Sequence, residues 1–309
     1  MKHTITSTFG LAVLAGFSLI TPVMAVVSMS WTSIGDVGNT ADTRVMNDGT
    51  TGYGSVNHAY NIGTYDVTNA QYVEFLNAKG ASNDAGIYSS TMATTGTYGS
   101  NITQSGSSGS YSYSVSSTYA NMPVCRVTWF DAARFSNWLG NGQGNGSMET
   151  GAYTLNGAMS GIITANAGAQ VYIPSEDEWY KAAYYNGANS TYSLYPDGQN
   201  TITSADANYR PASTGLENVN YGTPSSYGVY GMGGNVYQQN DAVIGAYRGL
   251  RGGEWHSASS SVLASSTRGY YDPSSQSYGV GFRVASVPEP TTVVLTMLAS
   301  GVLVMRRKR

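Results

Sequence analysis

Cysteine is almost absent from this 309-residue chain: Cys125 is the only one, so no intrachain disulfide can form and no pair of thiolates can hold a metal. Histidine is nearly as scarce, and of its three residues only His58 and His256 lie beyond the first 25 positions. Charged residues make up 11% of the chain. There is no phosphate-cradling glycine loop, and no Gly-x-Ser-x-Gly elbow, since Gly106-Ser107-Ser108-Gly109 has the wrong spacing, so serine-hydrolase chemistry has no support. No EF-hand spacing is present either.

The two ends read as targeting segments. Lys2 precedes the apolar run Leu11 to Ile20, and Val23-Met24-Ala25 supplies small residues at a signal-peptidase site, so residues 1–25 are expected to be removed and the mature chain to start near Val26. At the other end, Val287-Pro288-Glu289-Pro290 leads into the mostly apolar Thr291 to Met305, followed by Arg306-Arg307-Lys308-Arg309. A helix of that length spans ~22 Å, short of the ~30 Å hydrocarbon core and marginal as a permanent anchor. The basic cluster would stay cytoplasmic.

Residues 287–309, in the order Pro-Glu-Pro, apolar run, arginine cluster, resemble the PEP-CTERM sorting signal of exported bacterial proteins; an ordinary single-pass anchor is the alternative. The resemblance implies transient membrane attachment, removal by a sorting transpeptidase, and delivery to the cell envelope or beyond. Between the ends, ten basic residues face seventeen acidic ones. That balance excludes a nucleic-acid partner, which would require a basic patch. Residues 26–286 suffice for one large domain with a substantial core.

What the chain has in quantity is Gly, Ser, Thr, Asn and 25 tyrosines, a composition suited to many loops and short strands. Trp31 to Gly35, Tyr60 to Val67 and Pro123 to Val127 read as strands. Three capping-box spacings predict helix starts at Thr68, Thr128 and Ser175, with Tyr72, Phe75 and Leu76 on the buried face of the first helix, Phe135, Trp138 and Leu139 on that of the second, and Trp179, Ala182 and Ala183 on that of the third. Glu176, Asp177 and Glu178 fit helix-start electrostatics better than a catalytic carboxylate pair. Residues 81–120 are charge-poor; Ser110 to Val115 alternates with period two and suggests a twisted ribbon on a surface insertion, with a binding loop as the alternative. In the loop from Tyr184 to Ser226, Asp197, Asp206, Asn208 and Asn220 offer oxygens that a hard cation could use.

The glycine-rich end carries the strongest packing signature. In Arg248 to Ser257, RGLRGGEWHS, a short strand runs into Gly252 and Gly253, where the backbone can bend sharply and turn Trp255 into a core. Upstream lies GGNVYQQN (233–240), and downstream GVGFRVAS (279–286), where Phe282 and Val284 alternate with Arg283 as on a half-buried strand.

The blocks VTNAQYVEFLNA, PVCRVTWFDAARFSNWL, YIPSEDEWYKAAYY, YGVYGMGGNVYQQN, RGLRGGEW and GFRVAS, in this order, resemble the formylglycine-generating enzyme, or sulfatase-modifying factor, domain over roughly residues 31–286. The resemblance implies an α+β, C-type-lectin-like fold, irregular, with few helices and short twisted antiparallel strands, often steadied by calcium. The family's enzymes oxidise a sulfatase cysteine to formylglycine with a copper-binding cysteine pair, the first of which follows the Gly-Gly-aromatic block. Here that stretch reads His256-Ser257-Ala258-Ser259. A serine hydroxyl is a poor ligand for soft Cu(I), so no catalytic residue carries over: Ser257 stands nearest the family position and His256 remains a candidate. Copper is not expected. Iron is not either, since two histidines fall short of the histidine-rich sites of sister branches.

Carried over residue by residue, Gly231, Gly234, Val236 and Gln238 mark one calcium site and Asn208 and Tyr209 another. Where the family has Trp-Glu-Trp this chain has Tyr237-Gln238-Gln239, so the first site loses a carboxylate and its calcium affinity weakens. The binding surface is expected to include Arg251, Trp255, His256 and Arg268. The leading expectation is a non-catalytic, surface-displayed scaffold that binds a glycan, a matrix polymer or a protein through tyrosine-rich loops. The alternative is a metal-dependent oxidase or oxygenase of the family's type.

Overall fold

A computed structural model of the chain describes residues 26–288. The expected signal segment and all of the sorting segment from Glu289 onward lie outside the described residues. Strand β1 (Trp31–Ile34) pairs antiparallel with β2 (Tyr60–Gly63). Helix α1 (Asn69–Lys79) follows; Thr68 accepts from Gln71 N–H while Gln71 returns a bond to Thr68 N–H, and Lys79 stands in the last turn. Strands β3 (Ile102–Ser105) and β4 (Ser112–Val115) form the expected ribbon, and Tyr113 folds inward. After the single turn α2 (Ser117–Ala120) comes α3 (Trp129–Gly140), capped reciprocally by Thr128 and Asp131.

Beyond the short strand β5 (Val171–Tyr172), helix α4 (Glu176–Tyr184) starts at a third reciprocal box between Ser175 and Glu178. It leads into the small hairpin β6 (Tyr185–Asn186) and β7 (Thr191–Tyr192). The glycine-rich end supplies β8 (Tyr237–Ile244), β9 (Tyr247–Arg251), β10 (Gly269–Tyr271), β11 (Val280–Phe282) and β12 (Ala285–Ser286). Two four-stranded sheets result, ordered β1-β2-β12-β5 and β10-β9-β8-β11. All pairings are antiparallel except β8 with β11.

The main core lies between α1, α3 and the chain around β11, where Tyr72, Phe75, Phe135, Trp138 and Phe282 contact one another ring to ring. Helix α4 forms a second core from Trp179, Tyr180 and Tyr184 against Ile34, Met46 and Ile62. Trp138, Trp179 and Trp255 are buried as expected from the helix faces and the glycine pair, and Trp129 is buried as well.

Four expectations need correction. Pro123 to Val127 is not a strand: Arg126 sits at φ 62°, which breaks the extended run, and only a bridge from Pro123 to Thr68 survives. Strand β2 ends at Gly63, four residues before Val67. Arg283 does not face solvent but is fully buried, its charge met by Asp66. Helix α3 is also buried on nearly every side, Asp131 and Arg134 included, while Leu139 is only half-buried.

Candidate aromatic binding site

The site grows out of β9. Gly252 and Gly253 adopt φ 99° and 74°, and a Cβ on Gly253 would come within 2.8 Å of Leu263, so the turn needs glycine there. Gly234 N–H then donates to Gly252 C=O (2.8 Å) and Trp255 N–H to Asn235 C=O (3.0 Å), which ties the two glycine-rich blocks together. Trp255 enters a small core with Cys125, Leu216 and Val236. Around it stand Tyr98 (5.6 Å between ring centroids), His256 (5.2 Å) and Tyr278 (6.0 Å), and the Arg126 guanidinium lies 5.6 Å from the Tyr278 ring while donating to Tyr98 C=O.

This aromatic ridge separates two clefts. One, of about 440 Å³, is lined by Tyr237, Glu254, Arg268, Tyr270, Tyr271 and Tyr278 among others. The other, more open and of about 560 Å³, is lined by Tyr98, Arg210, Ser213, Thr214, Trp255 and Ala258 among others.

The four expected binding residues fall into different roles. Arg251 is wholly buried: its Nε donates to Glu176 (2.8 Å), it donates to the carbonyls of Ser265 and Thr267, and its guanidinium lies over Tyr53 and Tyr180. It cannot touch a ligand at the surface. Arg268 reaches the cleft, its side chain 13% exposed, but Glu176 and Asp48 hold it. Glu176 therefore binds two arginines besides opening a helix. Trp255 and His256 do come together, Trp255 as the buried base of the ridge and His256 half-buried beside it.

The Ser257 hydroxyl accepts from Glu254 N–H (3.0 Å), and Ser257 N–H donates to Glu254 C=O (2.9 Å), closing a tight turn. The Glu254 carboxylate accepts from His256 N–H, and burial raises its pKa. Cys125 is fully buried beside Ser100, and burial pushes its thiol up to about 11, so at neutral pH it is a thiol packed as a small apolar group.

The carried-over calcium positions have a different chemistry. Gln238 Oε1 accepts from Trp179 Nε1 and from Arg283 Nε, both at 2.6 Å, and its Nε2 donates to Gly231 C=O. The buried Arg283 also donates to the carbonyls of Gly63 and Tyr230 and to Asp66. Positive charge is thus already supplied by a guanidinium, and an N–H points at the carbonyl a cation would need, so these residues do not fit calcium. At the second position Asn208 Nδ2 donates to Gly215 C=O and Asn235 Oδ1, its carbonyl accepts from Asn235 N–H, and Tyr209 donates to Ile202 C=O. Gly234 and Val236 serve packing, Gly234 lying against the Asn208 backbone and Val236 beside Trp255. Asp206 is taken up by Thr203 and Thr223. Among the described residues no three His, Cys, Asp or Glu side chains converge as metal ligands.

Sequence reasoning missed Tyr98, Arg126, Glu254, Tyr270, Tyr271 and Tyr278. The aromatics sit in or beside loops without periodicity, and nothing distinguishes them from the chain's other tyrosines until the fold gathers them.

Comparison with solved structures supports the same architecture. Treponema denticola variable protein 1 aligns with a TM-score of 0.59 at 21% identity, over 87% of this chain and 100% of that one. The structure of CarF gives 0.57 at 20% over 85% and 100%, and PvdO from Pseudomonas aeruginosa gives 0.52 at 18% over 84% and 92%. At such identities the likeness establishes the fold alone. No curated protein sequence matches the chain. The family model described as the sulfatase-modifying factor enzyme 1-like domain matches residues 23–287, and the chain belongs to that family.

Proposed function

We propose that this protein is an exported, non-catalytic member of its family, a binding or scaffold protein of the cell envelope or extracellular matrix. The carrying observation is the state of the position where the family's chemistry would sit. Ser257 there is committed to a turn, and the chain's one thiol is buried as a neutral group. A glycan, a matrix polymer or a protein is the partner class, met at the aromatic ridge and its clefts. Delivery would use the N-terminal signal and the PEP-CTERM-like tail, with transient membrane attachment and release by a sorting transpeptidase.

The family's oxidase chemistry is the competing reading, favoured by membership itself. Incubating purified protein with Cu(I), oxygen and a cysteine-containing sulfatase peptide distinguishes the two. The expected result is no aldehyde, with Cys125→Ser folding much as the parent does. Aldehyde formed with turnover and abolished by Cys125→Ser or His256→Ala would return the protein to the oxidases.

A further inference from the structure

We propose that the 440 Å³ cleft between β10 and the 277–279 loop, extended by the Tyr247–Tyr270 pair, binds a neutral polysaccharide chain. This rests on the binding reading above and names its ligand class. The volume lies within the range of sites that hold small molecules or oligomer segments.

The lining supports that class. Tyr270 is 59% exposed and Tyr247 42% exposed, yet their rings pack together with centroids 5.0 Å apart and planes at 39°. Two large apolar rings held side by side in solvent form a rigid platform with little left to lose in rotamer entropy. Their positions follow from register: Tyr247 opens β9 just after the β8–β9 turn, and Tyr270 lies in the neighbouring β10, opposite Gly249. No side chain at Gly249 intervenes. From the platform the surface continues past Tyr271, Tyr237 and Tyr278. A pyranose ring has an apolar C–H face and a rim of hydroxyls, which matches tyrosines offering a ring face and an O–H.

Charge selects neutral over acidic polymers. Arg268 is the cation at the cleft, and Glu176 and Asp48 bind it. Glu176 also binds Arg251, so two guanidinium charges are matched by two carboxylates. Glu254 is the carboxylate of the lining, and it accepts from His256 N–H. Within the lining a uronate or sulfated chain would meet no cation without a carboxylate partner; Arg126, beside Tyr278 but outside the lining, donates to Tyr98 C=O. Such a chain would also approach a domain with an excess of acidic residues.

Isothermal titration calorimetry of the full chain tests this with a panel of neutral α- and β-linked glucan and mannan hexasaccharides and a polyuronate of matched length. At least one neutral oligosaccharide should bind, independently of salt, while the polyuronate should not. Tyr270→Ala and Tyr247→Ala, exposed positions that leave the core intact, should each weaken binding by about tenfold. Failure of every neutral sugar, preference for the polyuronate, or affinity unchanged in both variants overturns the proposal. If matrix material or a protein still adsorbs to the chain in that case, the binding reading stands without this cleft. Aldehyde formation in the oxidase assay would instead sink the binding reading itself.

Discussion

At Gln238 one atom pair decides between two ways of organising the same backbone. A carboxylate there would face Gly231 C=O with oxygen and require a cation between them, whereas the amide presents Nε2–H and bonds to it directly. Arg283, fixed by Gln238, Asp66, Gly63 and Tyr230, brings the positive charge from within the chain. Thermal unfolding should therefore occur at the same temperature in chelator and in millimolar calcium. Gln238→Glu should make the midpoint rise with calcium. A parent protein whose midpoint falls on chelation would contradict the reading. Asp66 Oδ2 is buried without a partner in this knot, and burial raises the Asp66 pKa to about 6 against the opposing effect of Arg283.

Among the elements, the three helices were legible from their first turns because a capping box is a local code: a hydroxyl and a carboxylate or amide three residues apart satisfy each other's backbone donors wherever the chain goes next. The expected half-buried strand through Arg283 divides into β11 and β12 with a buried arginine between them, because alternation reports only that residues point to opposite sides. It does not say that both sides are interior. The Pro123–Val127 segment departs from the expected strand because nothing local announces a left-handed Arg126. The candidate site was legible at Trp255, marked by its glycine pair, and illegible at Tyr98 and Tyr278, which reach it from distant loops. That tryptophan anchors the junction between β9 and the ridge, so Trp255→Ala should cost roughly 3–5 kcal/mol in chemical denaturation. A loss under about 1 kcal/mol would show that the ridge is dispensable to the fold.

For the whole molecule, buried carboxylates set the response to pH. Burial raises Asp66 and Asp131 to about 6 and Asp241 to about 7, all from 3.8, against the opposing pull of Arg283, of Thr128 and Arg134, and of Arg248 respectively. In the folded state these groups hold protons that the unfolded chain has already released. Their contribution to stability is thus complete below about pH 4 and is lost as pH rises through about 6 to 7. Asp48, lowered to about 2, acts in the opposite sense but only below its unfolded value. Urea midpoints should accordingly be higher at about pH 5 than at about pH 7.5. The reverse order would mean that the ion pairs with Arg283 and Arg248 outweigh the burial of their partners.

The first and last described segments meet at one place. Gln143 holds Val27 through bonds to both its N–H and its C=O, Val287 N–H donates to Gln170 C=O, and Val27 and Val287 line the same cleft of about 380 Å³. The two ends of the described domain therefore lie side by side, so the chain could be closed there and opened elsewhere. A short bridge joining residue 287 to residue 27, with a new opening cut in the exposed turn at Gly157 to Gly161, would leave both sheets and all three capped helices intact. The same closure makes the domain suited to insertion within a loop of another protein, where it would present the aromatic ridge on a stalk of two adjacent strands of chain.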